Sequence, residues 1–149
     1  MIDRDIESGS ATEILTTDLD LIQVEAAYEL LKSMPWVDGM ALETLERAMA
    51  NSLCFGALRD GRLIGFARVV TDRTTYAYLT DVVIAAEFRG QGIGSRLIQS
   101  VLDHPELQNL RRVSLLTRYG VSFYSDLGFT TGSGALTYME RRVSPPERI

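Results

Sequence analysis

Asp60-Gly61 stands between two apolar runs, Leu53 to Leu58 and Leu63 to Val70. A two-residue type I′ turn needs positive φ at both central positions, and Asp-Gly accepts that conformation readily. The pair therefore predicts an antiparallel hairpin through the middle of the chain. A second turn at Asp72-Arg73 leads into a third run, Tyr76 to Ile84, which extends the hairpin to a three-strand meander. Soon after it comes Arg89-Gly90-Gln91-Gly92-Ile93-Gly94. A helical stripe of Ile93, Leu97, Ile98, Val101 and Leu102 follows and stops before Pro105. A meander ahead of a glycine turn argues against dinucleotide and P-loop folds, which open on a βαβ unit.

The flanks complete the pattern. Thr12 to Thr16 predicts a strand. Leu21 to Leu31 carries Ile22, Ala26, Leu30 and Ala27, Leu31 on one helical face, with Asp18 and Asp20 as candidate caps and Pro35 as the stop. Ala41 to Ala50 predicts a second short helix with Leu42, Leu45 and Met49 on one side. Beyond Pro105, Val113 to Leu116 reads as a strand, Val121 to Leu127 as a short helix and Leu136 to Met139 as a last strand. The predicted architecture is α/β: a mixed, mostly antiparallel twisted sheet flanked by helices, with one crossover. The 149 residues make one domain, and 143–149 read as a frayed tail.

Composition narrows the functional classes. With 46% hydrophobic and 23% charged residues the chain has the balance of a folded globular protein. No apolar run approaches the roughly 20 residues of a membrane-spanning helix. Met1-Ile2-Asp3-Arg4-Asp5 lacks the apolar segment of a secretion signal. One cysteine, Cys54, and one histidine, His104, exclude an internal disulfide and argue against a metal site. The expectation is a cytoplasmic, metal-free protein without a membrane partner. Net charge is −5, split between −8 over residues 1–50 and +3 over the remainder. The acidic third argues against nucleic acid, whereas the basic remainder can host an anionic ligand.

The glycine turn is where such a ligand would sit. Glycines at 90, 92 and 94 let the chain turn tightly and let a ligand approach its amides. A helix N-terminus adds unpaired N–H groups and partial positive charge, and Arg89 and Arg96 add full charges nearby. Ser95 stands where a dinucleotide fingerprint needs glycine, and the sole lysine, Lys32, is far from any P-loop position. A glycine turn that only lets a helix pack on a strand remains the alternative.

Arg89-Gly90-Gln91-Gly92-Ile93-Gly94 fits the Q/R-x-x-G-x-G/A motif of the GNAT superfamily of acetyl-CoA-dependent N-acetyltransferases. Phe123-Tyr124-Ser125-Asp126-Leu127-Gly128-Phe129 resembles its F-Y-x-x-L-G-F segment. The element order is similar over roughly residues 10 to 142. The resemblance implies that the amides of Gly90, Gln91, Gly92, Ile93, Gly94 and Ser95, with Arg89, hold the CoA pyrophosphate. It implies that Val82, Val83 and Ile84 pair through their backbone with the pantetheine arm, and that Thr117 takes the place of a CoA-contacting asparagine. Pantetheine carries amides, so a free strand edge suits it.

Acetyl transfer to an amine needs a proton taken from the ammonium and a proton given to the leaving thiolate. The resemblance gives the second role to Tyr124. The base is unassigned: Tyr78-Leu79-Thr80-Asp81 resembles the Tyr-Leu-Glu-Asp of polyamine-acetylating relatives, with Thr80 in place of the glutamate. Strand alternation places Tyr78, Thr80 and Val82 on one face and Asp81 on the other. Asp81 then acts through water or a local bulge, or serves as a structural ion pair. The acceptor is expected against Trp36, Tyr78 and Thr80, with Trp36 either there or in the core. The reading is an enzyme moving the acetyl group of acetyl-CoA to a primary amine of a small molecule or peptide, by direct attack in a ternary complex. A CoA-sensing or protein-interaction module on the same fold is the alternative, favoured by Thr80 and opposed by Tyr124. Relatives often form homodimers, and no feature here decides that.

Overall fold

The structure, a computed structural model, describes residues 2–5, 12–37, 39–132 and 134–142. Its strands are β1 (Ile2–Asp5), β2 (Thr12–Thr16), β3 (Leu53–Arg59), β4 (Arg62–Thr71), β5 (Tyr76–Ile84) and β6 (Arg112–Leu115), in one sheet in that order. Neighbours run antiparallel up to β5, and β6 joins β5 in parallel. A parallel neighbour needs a crossover, and helix α3 (Ile93–Leu102) supplies it. Helices α1 (Val24–Leu31) and α2 (Leu42–Ala50) lie between β2 and β3 in the chain, and α4 (Val121–Ser125) follows β6.

The predicted hairpin turn is present, with φ of 50° at Asp60 and 82° at Gly61. Alternation along β3 and β4 then feeds two cores. Phe55, Ala57, Ala67 and Val69 meet α3 through Leu97, Ile98 and Val101. Cys54, Leu58, Phe66 and Val83 meet α1 and α2 through Ala27, Leu31, Leu45 and Met49. Phe66 is fully buried, and truncating such a ring to alanine costs about 3–5 kcal/mol. Cys54 is a packing residue, and burial pushes its thiol up to about 11, so it stays protonated.

Four expectations are corrected. β1 was not foreseen: its charged sequence has no apolar stripe, and an outermost strand needs only backbone pairing, here Ile2 with Leu15 through Asp5 with Thr12. Helix α1 begins at Val24, because the Asp18 carbonyl accepts from the N–H groups of Leu21 and Ile22 and closes a turn first. Asp18 caps that turn, accepting from Asp20 N–H at 2.9 Å, while Gln23 is the uncapped start of the helix. Leu136 to Met139 forms no strand: it pairs with no neighbour among the described residues and leaves Leu136, Tyr138 and Met139 exposed. A local alternating pattern is a strand only where a partner takes its hydrogen bonds. The tail expected to fray, 143–149, lies outside the described residues.

Candidate active site

The site begins with an irregularity in β5. Ala77 and Leu79 face α3, so Tyr78 and Thr80 face the α1 and α2 side. At Asp81 φ is +55°, and the register with β4 slips, since Thr80 stands opposite Arg68 but Val83 opposite Phe66. Asp81 and Val82 thus share one partner, Ala67, which is a β-bulge. The expected alternation is corrected here. Val82 packs on the α3 side, and the Asp81 carboxylate turns to the other, where Oδ2 accepts from Arg68 Nε at 2.7 Å. Arg68 Nη1 also donates to Ser52 Oγ at 3.0 Å. Sequence reasoning missed Arg68, whose signal was a lone cation inside an apolar run.

β6 pairs with β5 only from Tyr76 to Leu79. Past Leu79 the β6-facing edge of β5, containing Val82, Val83 and Ile84, has no strand partner among the described residues. That edge leads into the glycine turn. Gly90 and Gly92 take φ of 78° and 79°, conformations that strain any residue with a Cβ. Among the described residues, no backbone N–H from Gly90 to Ser95 donates to a backbone carbonyl. The Ile93 side chain is buried and anchors the turn while its N–H stays at the helix start. Gly94 comes close to α4, where an added Cβ would lie 3.4 Å from the Phe123 ring.

The two arginines differ from expectation. Arg96 is not a free charge: Nε and Nη2 each donate to Glu13 at 2.8 Å, and Nη1 donates to the Gln91 carbonyl at 3.2 Å. It braces the turn against β2. The Arg96 hydrogen bonds hold the Glu13 carboxyl below the usual range despite its burial. Arg89 is exposed, with Nε donating to the Ile84 carbonyl at 3.0 Å, and so it caps the end of β5.

Tyr124 projects from α4 on the α3 side of the sheet, in the cluster that includes Val82 and Ile84. Phe123 and Phe129 hold its ring edge-on, with centroids 4.9 and 5.7 Å away. Burial raises its phenol above the ordinary value of 10, so the proton is retained at neutral pH. Thr117 Oγ1 accepts from Gly120 N–H at 2.9 Å and so fastens the start of α4.

The chain that carries this glycine turn, half-free strand and short tyrosine helix matches the Acetyltransferase (GNAT) family model over residues 23–129. The chain belongs to this acetyltransferase family. It is 32% identical over 127 residues to a proposed acetyltransferase from Gibberella zeae, covering 70% of this chain and 71% of that one. A crystal structure of a proposed GNAT-family acetyltransferase from Xanthomonas campestris pv. campestris is 39% identical with a TM-score of 0.83, covering 88% and 93%. A Mycobacterium tuberculosis protein crystallised in complex with CoA shares the fold at 20% identity and a TM-score of 0.68, over 81% and 74%.

The other candidate residues lie on the α1 and α2 face. Trp36 stands on the one-turn helix Pro35–Val37, where Val37 is the buried anchor and Trp36 is 45% exposed. The core reading of Trp36 therefore fails. Tyr78 and Thr80 are half-buried on the sheet face that Arg68 shares. A groove of about 520 Å³ runs between α1 and the end of β5, walled by Leu30, Leu63, Val83, Ile84 and Arg89. Tyr124 is not among its walls, so the structure gathers Val83, Ile84 and Arg89 there and places Tyr124 across the strand. No described helix is long and apolar enough to cross a membrane.

Proposed function

We propose that this acetyltransferase uses acetyl-CoA and transfers the acetyl group to a primary amine of a small molecule or peptide. The observation that carries the reading is the set of unpaired N–H groups from Gly90 to Ser95, next to the half-free edge of β5. Six consecutive amides at a helix start suit a pyrophosphate, and an extended amide-bearing arm suits the strand edge. The CoA held by the Mycobacterium tuberculosis protein in the same fold supports this fit.

Acetyl-CoA, when bound, supplies the thioester. The chain does the rest. Gly90 to Ser95 hold the phosphates, with Arg89 at the rim, and Val82, Val83 and Ile84 align the arm. Tyr124, kept neutral by burial, gives its proton to the departing sulfur. Thr117 orients α4, and so Tyr124, through Gly120. Trp36, Tyr78 and Thr80 receive the amine. No carboxylate free of a partner faces the amine from β5, because Asp81 is held by Arg68, so water takes the ammonium proton.

Release of free thiol from acetyl-CoA over a panel of amines tests this reading. Amine-dependent release is the expected result. Thermal stabilisation by CoA without thiol release under any amine would instead show a CoA-sensing module.

A further inference from the structure

From Gln108 to Arg142 no described residue is buried, although this stretch holds Val113, Leu115, Phe123, Tyr124, Leu127 and Phe129. Those six touch the α3 core only from its margin. Among the described residues eleven large hydrophobic side chains are exposed, and six of them follow β6: Leu116, Tyr119, Val121, Leu136, Tyr138 and Met139. Val70 and Tyr76 extend this patch, since Val70 lies opposite Tyr78, and Tyr76 and Tyr78 lie opposite Arg112 and Ser114 of β6. Covering these eight side chains would remove roughly 1,000 Å² from water per copy, against about 800 Å² for each side of a stable interface. The two edges of the sheet also differ. β1 has three charged residues in four, a composition that discourages further pairing. β6 runs Val113-Ser114-Leu115 and on to Leu116, and its outer side has no strand partner among the described residues. Such an edge is a template for another strand. The same chain carries an unused strand: Leu136-Thr137-Tyr138-Met139 alternates, is exposed, and pairs with nothing among the described residues. An unmatched edge and an unmatched strand on one chain are the two halves of an isologous exchange.

We propose that two copies of this chain form a symmetric dimer in which residues 135–140 of each copy add as a strand to the outer edge of β6 in the other. Backbone hydrogen bonds supply the pairing. Alternation sends Leu136 and Tyr138 to one face of the sheet and Met139 to the opposite one, so both faces of β6 gain cover. On one face lie Ser114 and Leu116 with Tyr76 beside them, and on the other Val113 and Leu115 at the margin of the α3 core.

Sedimentation equilibrium of the full-length protein tests this first. The expected mass is that of two chains at micromolar concentration. Leu136→Glu with Tyr138→Glu puts two carboxylates into the seam and leaves the buried core, Ile22 to Leu107, untouched. Dissociation should become easier by at least about 100-fold in that variant, while its circular dichroism stays native. A native protein with the mass of one chain at about 100 μM overturns the proposal. So does a dimer that persists unchanged in the variant. Cross-linking then separates exchange from pairing within one copy. Cys54 is buried, so Arg112→Cys with Thr137→Cys supplies the two accessible thiols for a short bismaleimide. Both positions are exposed, so neither substitution disturbs the core. Chains joined in pairs are expected. A looped single chain places residues 135–140 on the β6 of their own copy, and an absent bridge places them on neither; either result overturns the proposal.

Discussion

The two walls of the cleft are built from different materials. The wall formed by the glycine turn and β5 consists of backbone: amides of Gly90 to Ser95 and a strand edge past Leu79. The proposed acceptor side consists of side chains, Trp36 from the Pro35–Val37 turn and Tyr78 and Thr80 from an earlier part of β5 itself. A backbone wall depends on chain path and tolerates varied side chains as long as φ is right. A side-chain wall depends on which residues the packing of α1 and α2 brings forward. The first wall therefore fits a ligand common to a family, and the second is free to vary with the acceptor.

The largest effect should come from attacking the backbone wall. Gly92→Glu puts a side chain at φ 79°, with its Cβ 3.0 Å from Arg96 Nη1, and adds negative charge where phosphate is proposed to sit. CoA affinity should drop by roughly 100-fold or more, read as lost thermal stabilisation by CoA. Gly61→Ala is the control, because Gly61 has φ of 82° with open space around an added Cβ. It should lower stability by about 1–2 kcal/mol and leave CoA affinity intact. Equal loss of affinity in both variants would mean that strain alone, and not the cradle, explains the first.

Tyr124→Phe keeps the ring between Phe123 and Phe129 and removes the proton. Expected is a fall in kcat of roughly 100-fold with KM for acetyl-CoA unchanged. Because burial raises the phenol above 10, native kcat should hold through neutral pH and fall only on the alkaline side of that value. A retained kcat in the variant assigns the proton to water and leaves Tyr124 as packing.

The same division of materials explains what could be read from the sequence. Gly90, Gly92 and Asp60-Gly61 announce positive φ by residue type, so the hairpin and the glycine turn were legible. The amphipathic stripe of α3 was legible for the same local reason. Asp81 gives no such sign, because the partner of its carboxylate is Arg68, thirteen residues earlier on the neighbouring strand. Arg96 reads from sequence as a full charge beside the turn, whereas Glu13, distant in sequence, pairs with it. Trp36 was ambiguous because an aromatic residue next to a buried valine fits core and surface equally well. β1 carried no apolar pattern, and Leu136 to Met139 carried a pattern without a partner.

Glu13 tests whether the backbone wall leans on a side chain. Its carboxylate holds Arg96, which in turn holds the Gln91 carbonyl. Glu13→Gln should cost about 1 kcal/mol, the low end for charge-assisted bonds because Arg96 is half-exposed. CoA affinity should fall roughly threefold as the turn loosens. The Glu13 pKa is lowered in the folded protein, so its stabilisation is fully present above 4.5 and is lost as pH falls through the folded value. Denaturant titrations across that acid range should show a stability loss in the native protein that Glu13→Gln lacks in part. Superimposable pH profiles would show that the brace contributes nothing.

The smallest expected effect concerns the side-chain wall. Trp36 is 45% exposed, so Trp36→Ala should change stability by no more than about 0.5 kcal/mol. Its indole face, near the acidic α1 and α2, suits a cationic amine. Glu25 and Glu43 are exposed, whereas Glu29 is paired with Lys32 at 2.9 Å and Asp38 lies outside the described residues. The field is therefore weaker than the charge of −8 on residues 1–50 suggests. KM for a basic amine should rise roughly threefold in Trp36→Ala, with CoA affinity unchanged. In the native protein, kcat/KM for a dicationic amine should fall about two- to threefold as salt shortens screening below about 8 Å. Neutral amines should not respond. A screen in which acidic or neutral amines react fastest, indifferent to salt and to Trp36, would show that the acidic helices are a solvated face and that the acceptor reads a different part of this wall.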